Sequence, residues 1–194
     1  MMNLIYKYIL KFSRGKSSVA VMALVSFTEA LFFLIPPDPF LGVLCINKKN
    51  KKIIELVLIC LFSSIIGGCL AYLLGEEIVV FAVKNDIGII SNNLESIEAI
   101  SSKLKESTFL LMITSGFTPL PFKLFCISAG ILNVDFIPFL FGSIIGRGLR
   151  FALVGYLAKI FGDKFEAILK SKEVFYISIG LIALLIIYLI IKWT

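Results

Sequence analysis

The chain has 194 residues, of which 59% are hydrophobic and only 16% charged, with 18 Phe and a mean hydropathy of +1.00. A soluble domain carries about a quarter of its residues charged, so a cytosolic enzyme, a disordered chain and a disulfide scaffold are excluded and an integral membrane protein is indicated. The net charge of +6 could suggest nucleic acid, but basic loops of a membrane chain are read first as topology signals, and no nucleic-acid partner is expected.

Residues 1–16 place Leu4, Ile5, Tyr8, Ile9 and Phe12 at helical spacing, with Lys7, Lys11, Arg14 and Lys16 unopposed by any acid. That pattern predicts an interfacial amphipathic helix on the side facing anionic lipid, with the N-terminus cytoplasmic. A basic start before an apolar run also resembles a signal peptide, but no A-x-A-like site follows and the segment is read as retained. Residues 17–46 are apolar but broken at Pro36, Pro37 and Pro39, which end the helix. A single crossing here would put the lysines of 47–52 opposite the basic N-terminus; a re-entrant hairpin keeps both inside.

Residues 53–74 then read as a clean transmembrane helix, with Ser63, Ser64, Gly67 and Gly68 permitting close helix contact. An acidic outside segment follows, in which Leu94, Ile97, Ile100 and Leu104 predict a second surface helix over 87–106. Residues 107–132 repeat the broken pattern: two arms of ~16 Å each, about half the hydrocarbon core, flank Thr118-Pro119-Leu120-Pro121. A second re-entrant hairpin, entering from the opposite face, is expected. Transmembrane helices over 134–159 and 174–191 complete a single membrane domain over 17–192, with Tyr188 and Trp193 as boundary anchors. The expected fold is thus all-α, with two opposed re-entrant hairpins and about three transmembrane helices. Ser64-Ile65-Ile66-Gly67 recurs as Ser143-Ile144-Ile145-Gly146. Each copy follows a proline-broken hairpin, which suggests an inverted repeat.

Six ionisable residues fall inside these stretches: Glu29, Asp38, Lys123, Asp135, Arg147 and Arg150. Each would cost about 2.5–3.5 kcal/mol facing lipid at the bilayer centre, so they are expected to face one another, water or a polar ligand. They balance, three acids against three bases, and the net positive charge therefore belongs to the ends and loops. Arg147 and Arg150 share a helix face. With Lys123 they could bind a phosphate, while Glu29 and Asp38 could take a proton or gate the path. The plainer reading is that the six form buried ion pairs that pin the hairpins; Asp135, near the interface, reads as structural. Absent His, paired metal-spaced Cys, a P-loop and Gly-x-Ser-x-Gly, neither a metal, a cofactor nor an enzymatic activity is expected. Cys45, Cys60, Cys69 and Cys126 read as small apolar filler.

Phe27-Thr28-Glu29 with Ile35-Pro36-Pro37-Asp38, then Ser63 to Gly68 with Tyr72 and Gly75, resembles the DedA (SNARE-associated, VTT-domain) membrane proteins. Gly116 to Lys123, Ala129-Gly130 and Gly146-Arg147-Gly148-Leu149-Arg150-Phe151 are similar to the YqaA-like branch of that family. The resemblance implies two re-entrant hairpins meeting within the membrane. It also implies lipid translocation, since some bacterial members recycle the undecaprenyl phosphate carrier and eukaryotic relatives scramble phospholipids. It further implies functional roles for Glu29 and Asp38 and for Arg147 and Arg150. One departure is clear: better-studied branches end the first motif in Pro-Gly-Glu, whereas this chain has Pro-Pro-Asp.

The sequence therefore points to a transporter of the bacterial inner membrane for a phosphate-bearing lipid, with protons as a possible coupling ion. Its rivals are a proton- or cation-coupled carrier of a small solute and a non-transporting membrane scaffold. The oligomeric state is left open.

Overall fold

Pro37, Pro121 and Gly162 cap three of the helix ends in the computed structural model, which describes residues 17–32, 36–85, 107–118 and 121–162. The helices expected over 1–16, 87–106 and 174–191, and Pro119 of the second turn, lie outside the described residues. Helix α1, Ser18–Leu31, closes with the Phe32 amide donating to the Thr28 carbonyl at 2.9 Å. Helix α2, Asp38–Cys45, starts earlier than the proline cluster suggests, because Pro37 is its cap and Pro39 sits in its first turn. Proline is accommodated there since a first-turn N–H has no intrahelical partner, and Asp38 faces the positive end of the helix dipole. Asn47 turns the chain with a left-handed φ of 56°, a conformation asparagine tolerates.

Helix α3, Asn50–Lys84, runs for 35 residues, about 52 Å, well past the 53–74 segment. Gly75 does not end it. A Cβ there would lie 2.2 Å from the Ile127 carbonyl oxygen, and one at Gly130 would lie 1.9 Å from that of Tyr72. The glycine is present for close helix approach, and the exposed Glu76 and Glu77 simply ride the continuing helix. Helices α4, Thr108–Phe117, and α5, Phe122–Ile131, flank the second turn. Helix α6, Phe136–Phe161, begins after Asp135, which is exposed at its cap rather than buried with the other charges. Asn50–Phe81 of α3 and all of α6 are long and apolar enough to cross a membrane.

The packing pairs the two halves. Helix α1 lies on α3 and α4 lies on α6, while the second helix of each hairpin crosses over: α5 packs on α3 and α2 on α6, and α3 meets α6 between them. Equivalent glycines carry the two within-half contacts. A Cβ at Gly67 would meet the Phe27 oxygen at 2.3 Å, and one at Gly146 the Ile113 oxygen at 2.5 Å. In a bilayer, where lipid tails are as apolar as side chains, such close backbone approach is a main source of helix association. One core gathers Met22, Leu41, Cys45, Ile53, Cys60 and Phe151; the other gathers Tyr72, Met112, Phe122, Cys126 and Phe139. The Tyr72 hydroxyl donates to the Val134 carbonyl at 2.7 Å, tying α3 to the residue just before α6. Outward-facing Phe62, Leu73, Ile137, Leu149 and Ile160 are exposed, as the surface of an integral membrane protein requires.

Candidate functional site

Four of the ionisable residues meet where the first hairpin faces α6. Glu29 comes from the last turn of α1 and Asp38 from the first of α2, on either side of the proline turn. Arg147 and Arg150 come from one face of α6 but separate to different partners. The Arg147 Nη2 donates to Glu29 Oε2 in a short charge-assisted hydrogen bond. Arg150 grips Asp38 with two nitrogens: Nη2 lies 2.5 Å from Oδ2, and Nε lies 3.2 Å from each carboxylate oxygen. Bidentate pairing of this kind suits the planar guanidinium fork. Sequence alone left the pairing of acids with bases open; the geometry resolves it across 118 and 112 residues of chain.

The two pairs differ in their surroundings. The Arg147 side chain is 2% exposed. Its Nε donates to the Ser64 hydroxyl at 2.8 Å, and its guanidinium lies between the Phe122 and Phe151 rings, 4.8 Å from each centroid. Aromatic faces on both sides add cation–π attraction and exclude solvent. Arg150 is 20% exposed and its Asp38 partner 15%. Its Nη1 donates to the Thr118 carbonyl at the end of α4. Arg147 is thus enclosed while its partner Glu29 is 15% exposed, and Arg150 and Asp38 both lie at the edge of the bundle.

Lys123 does not join the arginines. Its Nζ lies 3.2 Å from the Phe32 carbonyl oxygen at the end of α1, so it bridges the two hairpins near their turns. Ser26 supplies a further link from α1 by donating to the Cys60 carbonyl of α3 at 2.8 Å. Pro36 is exposed and Pro37 buried, while Pro121 opens α5. Ser64, Phe122, Phe151 and the Thr118 carbonyl were not singled out from the sequence as site groups. Ser64 read there as a small packing residue, and the two rings were lost among 18 Phe.

No group of three or more His, Cys, Asp or Glu residues sits together to hold a metal ion among the described residues. No catalytic motif is present there either. What the arrangement offers is two cations, each neutralised by one carboxylate from the other half of the molecule. Such a pair can be opened by a competing anion, by protonation of the acid, or by both together.

Residues 18–160 match the VTT domain family. An uncharacterized protein of Haemophilus influenzae is 32% identical over 188 residues, covering 96% of each chain. An uncharacterized protein of Histophilus somni is 32% identical over 194 residues, covering 97% of each chain. No solved structure matches the chain.

Proposed function

The chain belongs to the VTT-domain family, and on that premise we propose that it translocates a phosphate-bearing lipid, a phospholipid or polyprenyl phosphate, across the bilayer. The observation that carries the reading is the pair of arginine–carboxylate contacts joining the first hairpin to α6. A lipid phosphate competes with Glu29 and Asp38 for Arg147 and Arg150, assisted by Lys123, and the released carboxylates gate the path or take protons. The headgroup moves between the hairpins while its chains remain in the bilayer.

This reading includes a membrane arrangement. The two hairpins enter from opposite faces as re-entrant elements of an inverted repeat, which the exchange of α2 and α5 between the halves supports. Two further parts of the arrangement come from the sequence: a third span over 174–191, and a cytoplasmic N-terminus in a bacterial inner membrane. The motif around Arg147 and Arg150 favours the YqaA-like branch.

The test is reconstitution into liposomes containing fluorescent phospholipid or polyprenyl phosphate. Transbilayer movement should be lost with Arg150→Ala; movement unchanged by that substitution overturns the mechanism. The complete enclosure of Arg147 favours a second reading, in which the pairs only hold the fold. That reading expects Glu29→Arg with Arg147→Glu to retain cellular activity, whereas a translocator loses it.

A further inference from the structure

A groove of about 350 Å³ runs along the outer face of α6. Leu149, Leu153, Tyr156 and Ile160 line its floor, with Phe117 of α4 at one end. These positions share a helical stripe, and from Leu149 to Ile160 the stripe is about 16 Å long. One leaflet of hydrocarbon is about 15 Å deep. The groove is therefore one leaflet long.

Its two ends are different. The inner end is formed by Leu149 and by Phe117 of α4, near the middle of α6. The outer end is at Ile160, and the exposed Lys159 adjoins it in the chain, seven residues past the lining residue Ala152 and so on nearly the same face as that residue. Lys159 Nζ is 2.5 Å from the Asn50 Oδ1, at the start of α3. That contact gathers Lys159 with the exposed Lys48, Lys49, Lys51 and Lys52 of the α2–α3 corner. The corner carries one acid, Glu55, which is 2.7 Å from Lys52. Lys51 and Lys52 also stand in the first turn of α3, the end of a helix where cations are unfavourable and anions favoured. Tyr156, one turn inward of Ile160, has the amphipathic ring typical of the headgroup level.

We propose that this groove and the lysine corner form a binding site for an anionic-headgroup lipid standing in its own leaflet, its phosphate against Lys159 and the α2–α3 lysines and one chain along α6. The site is separate from the arginine pairs and does not require that the protein move lipids. Charge complementarity selects the headgroup, and the groove selects a hydrocarbon chain over a free anion.

The full-length protein, purified in detergent, is incubated with dioleoyl phosphatidylglycerol, dioleoyl phosphatidylcholine or inorganic phosphate, and retained lipid is read by native mass spectrometry. Phosphatidylglycerol should be retained at least tenfold over phosphatidylcholine, and inorganic phosphate should not displace it. Lys49→Gln with Lys159→Gln should lower the preference by about fivefold per lysine. Ala152→Phe, which narrows the groove without altering charge, should also lower retention. With wild-type lysines, a photo-crosslinking benzoylphenylalanine at Leu153 should give a lipid adduct. Equal retention of the two lipids, or a preference untouched by the lysine substitutions, overturns the proposal. So does an adduct to residues 163–194 or to a second copy of the chain, since either means that protein fills the groove.

Discussion

Glu29→Gln isolates the charge of the enclosed pair, because it preserves the shape of the side chain while leaving Arg147 without a counter-charge. Arg147 is 2% exposed and lies against two aromatic rings, so little water reaches its guanidinium, although Glu29 itself is 15% exposed. Removing one partner of a buried pair costs roughly 3–5 kcal/mol. For a chain of this size about 2–4 °C of melting temperature accompanies each kcal/mol. Glu29→Gln should therefore lower the thermal midpoint in detergent by roughly 6–20 °C. Asp38→Asn should cost about half as much, since Arg150 is more exposed and keeps the Thr118 carbonyl. The decisive comparison is Glu29→Leu with Arg147→Met, which replaces the pair by apolar volume. It should recover most of the loss, falling short by about 1 kcal/mol for the orphaned Ser64 hydroxyl. The assay is fluorescence-detected size-exclusion chromatography after a heating series. A fall of under about 3 °C for Glu29→Gln, or a double variant no better than the single, would refute the claim that enclosure of Arg147 depends on its carboxylate.

Three further outcomes follow from the geometry. Gly67→Ala drives a methyl to 2.3 Å from the Phe27 oxygen and should abolish monodisperse protein, whereas Gly148→Ala meets only Leu61 at 3.6 Å and should gain up to about 1 kcal/mol of helix propensity, both read by the heating series. Tyr72→Phe removes the 2.7 Å hydrogen bond to Val134 and should cost about 1 kcal/mol in melting without changing transport. Arg150→Lys keeps the charge but not the two-nitrogen grip on Asp38, and should reduce lipid movement in liposomes at least tenfold while leaving the thermal midpoint within a few degrees of wild type.

Much of this architecture was legible in the sequence because its signals are local. Proline clusters divide the two hairpins, and the charges stand out against apolar surroundings. What was not legible depends on contacts between distant segments. Arg147 and Arg150 looked like neighbours acting together, yet the packing of α1 on α3 and of α2 on α6 gives each its own acid. The role of the Ser64 hydroxyl exists only because α3 meets α6 at that depth. The Thr118 carbonyl is a backbone group and carries no residue signal at all. The transmembrane segment read over 53–74 stops short of Gly75, but α5 needs that glycine for close approach and the helix continues to Lys84. Asp135, which read as a structural charge near the interface, is exposed at the start of α6.

The pairing also constrains any cycle that uses these arginines. Separating Arg150 from Asp38 inside the bilayer would leave two uncompensated charges, each costly in a low-dielectric setting. On the proposed mechanism, an arriving phosphate neutralises the arginine, but the displaced carboxylate still lacks a partner. It has two ways to lose that penalty: reach water, or bind a proton. Pro36 and Pro37 have no N–H to donate, so among the described residues of the hairpin only the N-terminal end of α2 favours the free carboxylate. Arg147 cannot turn to it either, being held by Glu29, Ser64 and two aromatic rings. Where the carboxylate takes the second way, proton uptake accompanies phosphate binding at Arg150, and an imposed pH gradient should bias the direction of lipid movement. Asp38→Asn, permanently neutral, should uncouple movement from the gradient while leaving Arg150 open to the phosphate. Wild-type movement indifferent to a pH gradient across the liposome would show that the carboxylate escapes to water instead.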